Sequence, residues 1–403
     1  MINILKSKNN PFHLFLVWIT LTSTAPFIFY SWPYHPYKYL AFGCLATMFI
    51  FLIDKKGKYL NKNIILIFLI QIIFFSVISF LYSAFRYINN VIQLISCMII
   101  FSYINQYIGF KNFAKSYVII MILMGIGGTI TFFLHILIGI KPFFEVQYSA
   151  TGTTYFLGLT STNVFANVGS FRFLRFSGFF DEPGAFAMYS LFALLMNKIY
   201  YNNKKYELLL IATTIFTFSL AYYILIVVYF ILFYNKIKYL KYYIFVTFII
   251  MMLFLYLSNY NGDNQSIRYV KRYTVGRLEI TDEGRLRGDN RSRKADIDRE
   301  VFLNNFYWGD VVGSNVSGAN VYSVLASHGI FGAMFYYLLI FYFVFLLFRY
   351  SKINNIYLKV MILVLANVFH RPEFVHPFMI ISLYTLFKEM EYNELQQNAI
   401  KRQ

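Results

Sequence analysis

Apolar residues in this chain come in repeated runs of about 15 to 25, each long enough, or nearly so, to cross a hydrocarbon core of roughly 30 Å as a helix. Lipid offers the backbone no hydrogen-bond partner, so such runs have to satisfy their own amides, and helices are the way to do it. Hydrophobic residues make up 59% of the 403 and charged residues only 13%, about half the charged share of an ordinary soluble domain. A soluble globule is excluded. Cys44 and Cys97 both lie within apolar runs, which gives neither a disulfide framework nor a cysteine metal site.

After a basic leader with Lys6 and Lys8, the runs fall at 12–30, 36–53, 64–82, 90–108 and 116–140. The first lacks a small-residue cleavage site before Pro26 and is read as a retained span, not a signal peptide. Residues 141–183 interrupt the pattern. Further runs follow at 184–200, 206–234 and 241–258, then a polar interval at 259–327, then runs at 328–348, 354–370 and 374–388. The 206–234 run is either one tilted helix or a hairpin of two short ones. Cytoplasmic loops carry the Lys/Arg excess, and the hairpin, broken near Ser219, puts Lys236, Lys238 and Lys241 on the same side as Lys55, Lys111, Lys198 and Lys359.

The expected fold is therefore all-α: a polytopic bundle of about 12 transmembrane helices with both termini cytoplasmic. Residues 1–140 form a five-span bundle, 141–183 a first long extracytoplasmic loop, and 184–258 the central spans. Residues 259–327 form a second, arginine-rich extracytoplasmic loop, and 328–403 the last three spans and a cytoplasmic tail.

The net charge of +18 raises the question of nucleic acid. In this topology 20 of the 36 Lys and Arg lie inside with 5 of the 18 acids, leaving 16 cations and 13 acids outside. Most of the basicity is thus an orientation signal, and nucleic acid is not an expected partner. The kind of cation is more telling: 18 of the 20 inside are Lys, whereas 12 of the 16 outside are Arg. A guanidinium presents a planar fork that matches phosphate and carboxylate oxygens; an ammonium is a hydrated point charge. Arg268, Arg272, Arg277, Arg285, Arg287, Arg291, Arg293 and Arg299 crowd the second loop, and Arg172 and Arg175 the first. The plainer alternative is a solvated surface on which they pair with Asp282, Glu283, Asp289, Asp296, Asp298 and Glu300.

Within the second loop, Ile297, Val301, Phe302 and Phe306 recur near helical spacing and predict an amphipathic helix at the outer interface. Asp296 and Asp298 are two apart and would not share a helical face, which argues against a metal site. In RFLRFSGFFDEPGAFA, Asp181 and Glu182 precede Pro183 at a helix start; capping explains the first acid, and the second is a candidate base for a hydroxyl proton. His328 opens a span, and His370 and Arg371 lie in the short link between the last two, where ionisable groups mark substrate paths. His13, His35 and His135 read as structural. Walker, GxGxxG, HExxH and GxSxG patterns are missing.

The RFSGFFDEPGAFA patch, the Thr217-Phe218-Ser219 break, and Arg291-x-Arg293 followed by Gly309-x-x-x-Gly313 and NVYSVLASHGIFG together resemble the Wzy-type O-antigen and capsule repeat-unit polymerases. The resemblance covers most of the chain in layout and three short patches in residues. It implies an enzyme of the bacterial inner membrane with an extracytoplasmic active site. Such an enzyme moves a growing glycan from undecaprenyl pyrophosphate onto a new lipid-linked repeat unit, without nucleotide or metal. Its partners would be the undecaprenyl pyrophosphate-linked donor and acceptor, the lipid bilayer and a chain-length regulator. Arg175, Arg291 and Arg293 take the pyrophosphate-binding role by resemblance, with Arg172, Arg277 and Arg371 as further candidates; Glu182, His328 and His370, in that order, are candidates for the acceptor base. The related ligases place His-Asn before the following span, and here Ala319 stands before Asn320, which weakens the ligase alternative. A lipid-linked oligosaccharide flippase is the rival from another class, although the midspan regions are nearly free of charge.

Overall fold

The computed structural model describes residues 11–31, 36–53, 62–83, 85–148, 152–168, 171–234, 252, 255–273, 275–277, 290–311, 316, 320, 322–351, 355–370 and 376–400. Most of the expected 241–258 span lies outside this set. The described residues are mostly helical. Among them, Pro36–Ile53, Lys62–Tyr82, Tyr87–Ile108 and Phe110–Ile138 are long and apolar enough to cross a membrane, and Ser323–Tyr336 with Leu338–Tyr350, bent by 45°, makes a fifth if the pair is one span.

In chain order the helices are α1 Pro11–Thr22, α2 Pro36–Ile53, α3 Lys62–Tyr82, α4 Phe85–Tyr103 with a wider turn at Ile104–Ile108, and α5 Phe110–Ile138. After five strands come α6 Pro183–Tyr200, α7 Lys204–Thr214, α8 Leu220–Phe233, α9 Gln265–Tyr273 and α10 Asn290–Asn304. The last are α11 Ser323–Tyr336, α12 Leu338–Ser351, α13 Asn355–His370 and α14 Pro377–Ile400. Several boundaries differ from expectation: α11 begins at Ser323, ahead of the expected 328, and α14 runs on to Ile400, past the expected 388. The first helix stops at Thr22, not at residue 30, because Pro26 cannot donate to a helix and disfavours helical backbone before it. The expected spans at 90–108 and 116–140 are separated by Gly109 alone, Lys111 and Lys115 being accommodated inside a helix.

The chain divides into two units. The first holds residues 1–122, 192–208 and 295–403. Its membrane-length helices are apolar on their outward faces as well, as a span requires: α3 buries Ile64, Phe68, Gln71, Phe75 and Ile78 on one stripe while Leu66, Ile73, Val77 and Phe80 face outward. That stripe packs on α4. Aromatic rings join α1, α5 and α14, with Phe378 stacked on Tyr117 at 5.1 Å and tilted against Trp18 at 5.9 Å.

The second unit holds residues 123–191 and 209–294. Here the segment expected as a plain loop, 141–183, forms two small antiparallel sheets. Strands β1 Phe144–Tyr148, β2 Gly152–Phe156 and β3 Ser161–Thr162 lie in the order β1-β2-β3; β4 Val164–Val168 pairs with β5 Phe171–Arg175. The alternation of apolar and polar residues in FEVQY is the period-2 pattern of strands, whereas VFANV and FRFLR are aromatic and branched runs of strand-forming residues. Leu157, Leu174 and Phe132 make a small core, against which Phe165, Phe216 and Phe218 pack.

Candidate functional site

The second unit is where two of the three patches meet. Between α7 and α8 the helix breaks: Ile215–Thr217 form a tight turn, Phe218 is left-handed at φ 50°, and Ser219 is extended. Left-handed backbone costs a non-glycine residue about 1–2 kcal/mol, so the surroundings have to hold it. Phe173 on β5 packs on the Phe218 ring at 5.4 Å. Arg175, on the same face of the strand two residues later, donates from Nε to the Thr217 carbonyl at 2.9 Å and from Nη2 to the Phe218 carbonyl at 3.0 Å. Thr217 Oγ1 donates to the Thr214 carbonyl and Tyr223 Oη to the Ile215 carbonyl. A helix end presents unsatisfied carbonyls and a partial negative charge; a guanidinium answers both. Arg175 is 8% exposed.

Arg172 faces the other side of β5 and donates from Nη1 to the Leu137 carbonyl at 3.0 Å, at the end of α5. The turn that follows β5 is fastened by Thr160 and Ser161, whose hydroxyls donate to the Gly178 carbonyl at 3.0 and 2.9 Å. This turn delivers the chain to Glu182, whose carbonyl accepts the Ala185 amide at the head of α6. Glu182 is half-buried. Helix α9, from the arginine-rich interval, packs against β5. On it Arg268 bonds Asp263 at 2.6 Å, while Lys271 donates to the Ser258 and Tyr260 carbonyls. The turn Val275–Arg277 packs on α9.

The third patch begins in the second unit with Arg291 and Arg293, and from Gly309 on it lies in the first unit. His328 is buried, its Nδ1 2.9 Å from Tyr87 Oη, and its ring stacks on Tyr336 at 5.0 Å. Next to it α11 breaks at Gly329, whose φ of 63° and ψ of −173° suit glycine alone. The amides freed there are taken by main chain: Ile330 donates to Phe306 at 2.9 Å and Phe331 to Tyr307 at 3.3 Å. A Cβ on Gly329 would lie 2.3 Å from the Tyr307 carbonyl, and one on Gly309 would lie 2.4 Å from the Gly329 amide. Asn320 donates to the fully buried Asp298.

Arg291 and Arg293 open α10 and His370 ends α13, but their side chains, like that of Arg277, lie outside the described residues. Arg285, Arg287 and Arg371 lie outside them entirely. The helix expected in the second loop is present, but its apolar residues do not share a face: Phe302 is buried while Ile297 and Phe306 are exposed. Asp298 is buried and Asp296 exposed, so the two do not converge, and no group of three or more His, Cys, Asp or Glu that could hold a metal occurs among the described residues. His13 and His135 are buried, bonded to Tyr103 and to the Ile140 and Ala166 carbonyls. Sequence reasoning missed Tyr87 and the carbonyls that Arg175 holds. Nothing in the spacing announces either, since both are long-range partners. No family model, curated protein or solved structure matches the chain.

Proposed function

We propose that the chain is a membrane glycosyltransferase of the repeat-unit polymerase type, acting on undecaprenyl pyrophosphate-linked oligosaccharides at the outer face of a bacterial inner membrane. The topology that goes with it has twelve crossings, broken near Ser219. The observation that carries the reading is the buried Arg175 guanidinium, fixed in one plane by two carbonyls at a helix break, on a strand that also bears Arg172 and against which the arginine-bearing α9 packs.

In the reaction, an acceptor hydroxyl attacks C1 of the donor's first sugar. The C1–O bond to pyrophosphate breaks, and its electron pair leaves with the diphosphate. Charge grows on that leaving group, so cations already in position lower the barrier without reorganising. The hydroxyl proton passes to a base, for which Glu182, beside the arginine strand in sequence, is the first choice and His328 and His370 follow. Neither nucleotide nor metal enters this balance. Incubating the purified protein with a lipid-linked repeat unit should give a ladder of products. Movement of single units across the bilayer with no ladder would instead establish a flippase.

A further inference from the structure

We propose that the last turn of α10 and the turn after it, residues 303–308, are a membrane anchor seated at the headgroup–acyl boundary of a lipid bilayer. This goes beyond the reaction proposed above and does not depend on it. Leu303, Phe306, Tyr307 and Trp308 are exposed at 58, 44, 62 and 44%. Earlier turns of the same helix present Asp296, Arg299 and Glu300, with Ile297 exposed beside them, so the apolar surface is concentrated at one end.

That end is not a loose flap. The carbonyls of Phe306 and Tyr307 hold the amides of Ile330 and Phe331, and Gly309 closes against Gly329. The turn therefore moves as one body with α11. The Tyr307 ring stacks on Phe331 at 6.0 Å and the Trp308 ring tilts against it at 5.6 Å. Phe331 is itself exposed, on the bent pair α11–α12 that is apolar enough to span, and Met334, Phe341, Phe345 and Phe348 continue as exposed apolar residues along that pair. The patch is thus continuous with a surface that lipid covers once the pair is in a bilayer. A tryptophan and a tyrosine at its tip fit the interface, where amphipathic rings concentrate and apolar side chains settle about 5–10 Å into the headgroup–acyl boundary.

The test uses the full chain in phosphatidylcholine vesicles whose acyl chains carry bromine either near the glycerol or near the terminal methyl. Emission from Trp308 is the difference between the parent and Trp308→Phe, a change that keeps the ring. Bromine near the glycerol should remove more than half of that emission, and acrylamide in the water should remove little. Stronger quenching from the methyl end overturns the boundary placement. Quenching by acrylamide alone means a water-facing turn, and quenching by neither means a protein-covered one, such as a second copy; both overturn the proposal. Should Trp308→Phe fail to fold, a nitroxide on Tyr307→Cys gives the same reading. Cys44 and Cys97 are buried and leave the new thiol as the one to label. Greater access to oxygen than to a water-soluble nickel chelate supports the anchor, and the reverse overturns it.

Discussion

Both units contain an apolar helix that stops and restarts, and they close the gap by opposite means. At Gly329 the loose groups are amides, and they are met by carbonyls of residues 306 and 307. At Phe218 the loose groups are carbonyls, and two of them are met by one arginine side chain. A broken helix inside lipid survives only where protein satisfies both kinds. The main-chain closure needs no particular side chain, only the lack of one at Gly309 and Gly329, and it carries no charge. The arginine closure leaves a cation, buried and oriented, at the end of a helix. On the reaction proposed above, the second kind of break is the one that offers a cation to the departing anion.

The sharpest way to break this contrast is Gly329→Ala. The added carbon meets the Tyr307 carbonyl at 2.3 Å in a backbone region other residues avoid, and the closure cannot form without moving residues 306–309. A loss of about 3 kcal/mol or more follows. In detergent the variant should give little monodisperse protein, and a variant melting within a few degrees of the parent would show that the closure is slack. Next in size comes Arg175→Ala, which strands the buried Thr217 carbonyl at about 1–3 kcal/mol and the part-buried Phe218 carbonyl at less and should abolish product ladders. Arg175→Lys tells the two roles apart. An ammonium keeps the charge but lacks the planar fork, so stability should return in part and long products should not. Full recovery of ladders with Lys would mean that charge alone suffices at this break.

These two sites were unequally legible in the sequence. The hairpin break near Ser219 follows from charge sidedness, and the helix at 290–304 follows from spacing, since both rest on local rules. Of the sheets in 141–183, only the first strand shows an alternation, in FEVQY, and it is masked by the length of the apolar runs around it; FRFLR has none. Arg175 is legible as an arginine of the first long loop, to which the family resemblance gives the pyrophosphate-binding role. That its fork would be spent partly on Thr217 and Phe218, 42 and 43 residues away, could not be read, because spacing says nothing about which carbonyls a break leaves open. The pairs Asp298–Asn320 and Gly309–Gly329 were hidden for the same reason: each joins segments separated by a turn whose path is set by packing. The spacing of Ile297, Val301, Phe302 and Phe306 predicts an amphipathic helix near the outer interface. The helix is there without the shared apolar face, because Phe302 is buried while Ile297 is exposed.

The smallest effect tests whether the main-chain break is as inert as the comparison holds. Tyr87 Oη and His328 Nδ1 are 2.9 Å apart, one residue before Gly329, with the imidazole stacked on Tyr336. Tyr87→Phe removes one buried hydrogen bond and keeps the ring against Phe75, so stability should fall by only about 0.5–1.5 kcal/mol. If His328 serves packing alone, product ladders from this variant match the parent at every pH once folded protein is normalised. If His328 takes the acceptor proton, losing the hydroxyl frees the ring to turn or change tautomer. The yield of long products then drops and its pH dependence moves, while Glu182→Gln leaves a substantial residual rate. A shifted profile in Tyr87→Phe together with an active Glu182→Gln would transfer the base from the arginine-bearing unit to the other one, and the division of labour between the two breaks would no longer stand.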